Sequence, residues 1–185
     1  MKICILDLEM NKPSRSIIEI GAVCLDLKSG QMSNTFRTYV DPKEVIDPFI
    51  TQLTGITQLD VDGEPSLTEA LNSFVAWMTK VGCQKTVGAW GSDWHMVLNE
   101  FKKHGIEFEH PKHIDIKVMG MVLRCAFPNT KSKSGLANTC ALFNIDMVGK
   151  QHRALDDALN TAKLLYKFKQ MTEVYNQINS LMGKS

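Results

Sequence analysis

The stretch Ile3-Cys4-Ile5-Leu6-Asp7-Leu8-Glu9-Met10 decides how the rest of the chain is read. An apolar run of Ile, Leu and Cys that passes into alternation predicts a buried strand. Alternate residues of a strand share a face. Asp7 and Glu9 therefore stand side by side at the edge of a hydrophobic core. Two neighbouring carboxylates repel, and burial makes each costlier unless a positive charge compensates. A divalent cation is one such compensation. Taken alone, a D-x-E triplet reads first as two solvated acids at a strand end. Residues far downstream change that.

Working outward, the chain of 185 residues fits one domain, 1–185, long enough to bury a real core. Its 44% apolar and 22% charged residues are ordinary for a globular protein. No apolar run approaches the roughly 18 residues of a membrane span. Met1-Lys2 leads straight into the strand without the regions of a signal peptide. Cys4, Cys24, Cys83, Cys125 and Cys140 are scattered without C-x-x-C spacing. That pattern predicts reduced, buried thiols in a cytoplasmic protein, not a disulfide frame or a zinc site. The net charge of +1 neither supports nor excludes local binding of nucleic acid.

Two further β-rich runs follow, at 17–25 and 35–40, separated by turn signals at 11–16 and 28–30. Three strands joined by short turns predict an antiparallel meander. A short helix over 49–53 closes at Gly55. Ser66 with Glu69 forms a capping box ahead of a helix carrying Leu67, Ala70, Leu71, Phe74, Val75 and Met78 at helical spacing. A short strand over 86–90 precedes a helix that opens at Ser92 or Asp93, and a last strand over 113–116 runs into a helix over 118–125. The loop 128–133, with Lys131 and Lys133, reads as solvated, and a helix spans 136–143. A long helix runs from about 153 to 171. A separate amphipathic helix at about 173–182 covers the protein's own core or a second subunit of a homodimer. Meander first, then alternating helices and strands, predicts an α/β mixed sheet flanked by helices.

His152 lies in a polar loop, and Asp156 and Asp157 fall at the start of the long helix, whose positive dipole end tolerates acids. Read singly these are a surface histidine and ordinary helix-start acids. Read together with Asp7, Glu9 and Asp93, they form a pattern. The set resembles the DEDDh exonucleases, relatives of proofreading exonucleases, of oligoribonuclease and of RNase T. Asp7 and Glu9 match the first motif, D-x-E; Asp93 matches the second; His152, Ala154, Asp157 and Ala158 match the third, H-x-A-x-x-D-A. Residues 17–23, IIEIGAV, are similar to the family's second strand, and Leu136-Ala137-Asn138 with Leu142 to the helix before its third motif. Gln52-Leu53-Thr54-Gly55-Ile56-Thr57, then Pro65-Ser66, resembles the Eri-like exoribonucleases. Asp7-Leu8-Glu9-Met10 resembles the opening of oligoribonuclease. One departure stands in the second motif, where Trp90-Gly91-Ser92-Asp93-Trp94 puts the acid before the tryptophan. Asp93 is the only acid between Glu69 and Glu100 and takes that place, with a register shifted by one position left open. Trp90 and Trp94 read as packing residues rather than stacking platforms.

The resemblance implies an RNase H-like fold and a 3′–5′ exonuclease releasing nucleoside 5′-monophosphates from single-stranded nucleic acid. It favours RNA over DNA. A DNA exonuclease is the alternative, and a non-catalytic binding module on the same fold a weaker one. Four carboxylates suit two Mg²⁺ or Mn²⁺ ions, which prefer oxygen ligands. On this reading Asp7, Glu9, Asp93 and Asp157 are the metal ligands, with Asp7 shared by both ions. His152 is the general base, since histidine titrates near neutrality. Met10, Leu53 and Thr54 correspond to positions that hold the terminal nucleotide in relatives. Glu19 is left unassigned, as a supporting or merely structural acid.

Overall fold

The computed structural model describes residues 1–109, 111–125 and 135–182. Its sheet has five strands in the order β3-β2-β1-β4-β5. They are β1 (Lys2–Met10), β2 (Ile17–Asp26), β3 (Met32–Tyr39), β4 (Thr86–Ala89) and β5 (Lys112–Asp115). β1, β2 and β3 form the antiparallel meander, while β4 joins β1, and β5 joins β4, in parallel. The mixed sheet flanked by helices is thus as the sequence predicts.

β1 sits centrally, which explains its apolar run: both faces are covered. Cys4, Leu6 and Leu8 face one core with Leu71, Phe74 and Met78 of α3 (Leu67–Val81) and Trp94, Val97 and Phe101 of α4 (Asp93–Lys103). Ile3 and Ile5 face the other core. There they meet Ile116 of α5 (Ile116–Arg124), Leu136 of α6 (Leu136–Leu142) and Leu165 and Phe168 of α7 (Ala154–Met182). Asp7 and Glu9 continue the parity of Ile3 and Ile5, so they emerge on the α7 side, at the end of the strand.

α3 begins as its sequence predicts. Ser66 Oγ accepts from the Glu69 N–H at 3.4 Å, and Glu69 Oε2 accepts from the Ser66 N–H at 2.8 Å. α1 (Pro48–Thr54) ends at Gly55 with φ 78°, a left-handed cap suited to glycine. A further short helix, α2 (Gln58–Val61), is too brief to show a period in sequence. Trp94 is buried and Trp90 packs against the α7-side core, so both tryptophans are packing residues.

Two expectations are corrected. The helices read at 153–171 and 173–182 are one continuous helix, α7, because neither glycine nor proline interrupts it. Along its later turns Val174 and Tyr175 are 54% and 63% exposed. Cys125 is exposed, whereas the other four cysteines are buried as expected. The loop with Lys131 and Lys133 lies outside the described residues. Among the described residues, no helix is long and apolar enough to cross a membrane.

The start of α7 lies directly on β2. A Cβ at Gly21 would overlap the Ala154–Leu155 backbone, which has no flexible end to move aside. Gly21→Ala is therefore expected to cost roughly 1–3 kcal/mol, the usual range for overpacking. A chemical-denaturation midpoint equal to that of the parent protein would contradict this packing.

Candidate active site

Three elements deliver the predicted acids to one edge of the sheet. β1 carries Asp7 and Glu9 at its C-terminal end. β4 pairs with β1 through Leu6 and Ala89, so the chain leaving β4 rises beside Asp7 and turns into α4 at Asp93, after the N-cap Ser92. Asp93 thus opens its helix. Its carboxyl lies against the Leu8 backbone and the Asp7 carboxyl. α7 supplies Asp157 from its first turn, and the loop before it supplies His152. Ligating atoms of Glu9, His152 and Asp157 all lie within 4.8 Å of one another. The crevice beyond the carboxyl ends of strands is where open α/β sheets bind ligands.

The loop before α7 is laced to that helix. Asn160 pairs with both backbone groups of Val148, at 2.9 and 3.0 Å. Asp156 Oδ2 accepts from the Lys150 N–H at 2.8 Å, and Asp157 Oδ2 from the His152 N–H at 3.0 Å. His152 is held at φ 62°, a backbone conformation unfavourable for a side-chain-bearing residue and sustained only by its surroundings. Lys150 Nζ reaches across to the Thr54 carbonyl at 3.2 Å, tying this loop to the end of α1.

The electrostatics of the acids are uniform in direction. Burial, then the charges of Asp93, Glu9 and Asp157, push the Asp7 carboxyl well above the carboxylate range. Burial, then Asp157, Glu19 and Asp93, push Glu9 up to about 8. Burial raises Asp93 to about 6, held back by the Leu8 N–H, Asp7, and the cations of Lys117 and Arg15. Burial also raises Asp157, against the His152 N–H and charge. Four acids that resist ionising together want more positive charge than the chain supplies.

The donor set fits hard divalent cations. Every acid offers carboxylate oxygen, and Asp157 Oδ1 is buried without a hydrogen-bond partner. A pH dependence follows. A raised folded pKa means that the folded chain binds more protons than the unfolded one. For Glu9 the stability this gives is complete below about 4.5 and is lost as pH rises through about 8; for Asp93 the window runs from 3.8 to about 6. In chelator, thermal stability is expected to fall between about pH 5 and about pH 8, by up to roughly 1.4 kcal/mol per pH unit for each such group. Mn²⁺ should reverse the fall. Melting temperatures that rise over this range in chelator would contradict the assignment.

The candidate nucleotide-binding residues are placed unevenly. Met10 lies at the irregularity that ends the β1–β2 pairing, half-buried beside Glu9. Leu53 is 37% exposed on α1. The Thr54 side chain is fully buried; its hydroxyl donates to the Ile50 carbonyl and accepts from the Ile56 N–H. Thr54 as a whole is thus enclosed, its carbonyl taken by Lys150 Nζ. Sequence reading passed over Phe49, one turn before Leu53 and 52% exposed, with Lys12 Nζ 4.5 Å from its ring centroid. It also passed over Lys150. No local pattern marks either, because both matter only through contacts across the fold.

Comparison with known proteins adds independent findings. A profile of the RNase T exonuclease family matches residues 4–165. ERI1 exoribonuclease 2 of Xenopus laevis is 31% identical over 178 residues, which cover 82% of this chain and 25% of that protein. The PolC-type DNA polymerase III of Clostridium perfringens is 34% identical over 160 residues, covering 85% of this chain and 10% of that protein. The chain thus spans a small part of the length of these curated relatives. The nuclease domain of 3′hExo, a DEDDh family member solved bound to rAMP, superposes with a TM-score of 0.77 at 25% identity, over 91% of this chain and 92% of that one.

Proposed function

Since the chain belongs to the RNase T exonuclease family, in its DEDDh branch, we propose that residues 1–185 form one metal-dependent 3′–5′ exonuclease domain. It hydrolyses single-stranded nucleic acid, RNA in preference to DNA, and releases nucleoside 5′-monophosphates. The observation that carries this reading is the meeting of Asp7, Glu9, Asp93 and Asp157 beside His152 at one sheet edge. RNA is favoured because a similar protein is named an exoribonuclease and a similar nuclease domain was solved with rAMP. DNA is the second reading, favoured by the likeness to PolC-type DNA polymerases.

In this mechanism Asp7, Glu9, Asp93 and Asp157 would hold two Mg²⁺ or Mn²⁺ ions. The ions, when bound, neutralise phosphate charge, acidify a water and stabilise the leaving oxygen. The chain's own residues do the rest. The His152 imidazole accepts the proton of the attacking water. Leu53 and Phe49 offer an apolar edge for the terminal bases, and base–aromatic contact of this kind tolerates any sequence. Arg15 and Lys117, beside Asp93, offset charge at the rim.

The test uses matched RNA and DNA oligonucleotides labelled at the 3′ or the 5′ end, with Mn²⁺ or Mg²⁺ and with chelator. Stepwise shortening from the 3′ end, faster on RNA and abolished by chelator, is the outcome this reading requires. No metal-dependent shortening of either polymer would overturn it, and faster shortening of DNA would favour the second reading.

A further inference from the structure

Behind the acids lies a buried residue that the mechanism has not used. Glu19 is fully buried on β2, paired in register with Glu9 on one side and Tyr39 on the other. All three share the α7 side of the sheet. Glu19 is not a spare ligand, because its oxygens are already engaged by donors. Oε2 accepts from the Ala154 N–H at 3.0 Å, and Oε1 from Arg37 Nε at 2.6 Å. Arg153 brings Nε to 3.4 Å from Oε2 and Nη2 to 3.5 Å from Oε1. Arg153 also donates to the Tyr39 hydroxyl, and its guanidinium stands 5.6 Å from the Tyr39 ring centroid.

These contacts grip two consecutive residues, Arg153 and Ala154, immediately after His152. The grip comes where it is needed. His152 has an unfavourable φ of 62°, and its own N–H is satisfied by Asp157. A strained residue stays in place only if its neighbours cannot relax. On one side the loop is held by Asp156 and Asn160; on the other, by Glu19. The carboxylate also faces the free N–H end of α7, where negative charge is favoured.

We propose that Glu19 is a positioning residue: through Arg153 and the Ala154 N–H, it fixes the backbone that aims the His152 imidazole at the acid site. This rests on the nuclease reading for its consequence, but the positioning itself is measurable without catalysis. Glu19→Gln keeps the shape and removes the charge that draws Arg153. Turnover is expected to fall 10–100-fold, as for supporting residues of metal sites, with KM and Mn²⁺ affinity held within about two-fold. In a His152→Ala background the same change is expected to have less than about a two-fold effect, because the residue being aimed is gone.

The second readout is the NMR signal of the His152 ring in metal-free protein, identified by its loss in His152→Ala. In Glu19→Gln it should move toward the position of an unstructured histidine while those of His95, His104 and His113 stay. Arg153→Met, which leaves the Ala154 contact intact, should move it in the same direction by less; it serves if Glu19→Gln does not fold. An equal loss in the His152→Ala background, with the ring signal unmoved, would make Glu19 merely structural and overturn the proposal. Weakened Mn²⁺ binding would make it part of the metal site and overturn it too. Should the parent protein degrade no oligonucleotide while the ring signal still shifts, the nuclease reading fails and the positioning stands.

Discussion

Asp7→Asn is expected to reduce oligonucleotide turnover on the order of 10⁴-fold or more, since it removes the carboxylate that stands among the other three acids, where divalent ions would be held. Asp7 is the acid whose charge is felt together with those of Asp93, Glu9 and Asp157. Asparagine keeps its volume and can still hydrogen-bond toward Asp93, but it brings no charge for the ions. The same change relieves repulsion among acids that burial already disfavours. Metal-free Asp7→Asn should therefore melt at or above the parent protein, especially near pH 8, and gain little from Mn²⁺. The pairing of lost activity with retained stability separates this outcome from unfolding. Both are read from single-turnover digestion and from melting with and without metal. Undiminished turnover would remove Asp7 from the site.

His152→Ala is expected to lower turnover by about 10²–10⁴-fold, the usual contribution of a positioned general base. Here metal binding should survive, because the four carboxylates are untouched. The stabilisation conferred by Mn²⁺ is the control. It should remain close to that of the parent, in contrast with Asp7→Asn. The imidazole lies within 4.8 Å of ligating atoms of Glu9 and Asp157, so the opposite result has a clear meaning. If Mn²⁺ stabilisation collapses in His152→Ala, the imidazole ligates metal and is not free to take a proton. If turnover is unchanged, another group accepts the proton.

Much of this was legible along the chain. The parity of β1 put Asp7 and Glu9 on one face, since a strand has a period of two whatever surrounds it. The capping box at Ser66 and Glu69 and the left-handed cap at Gly55 are likewise local chemistry, read within a few residues. The spacing His152-x-Ala154-x-x-Asp157 put histidine and acid at the same end of one helix.

What could not be read there depends on which elements become neighbours. That Asp93 comes to lie beside Asp7 follows from β4 pairing with β1, a choice made by the packing of both sheet faces. Glu19 looked like any acid on a strand until Arg37, Arg153 and the start of α7 closed around it. Thr54 turned inward because the end of α1 needed its hydroxyl more than solvent did. The break expected near 172 failed to appear because a lapse in apolar spacing removes contacts but no backbone hydrogen bond, and α7 continues past the core that started it. Period and caps are properties of neighbouring residues, whereas a site of this kind exists only where distant backbones cross.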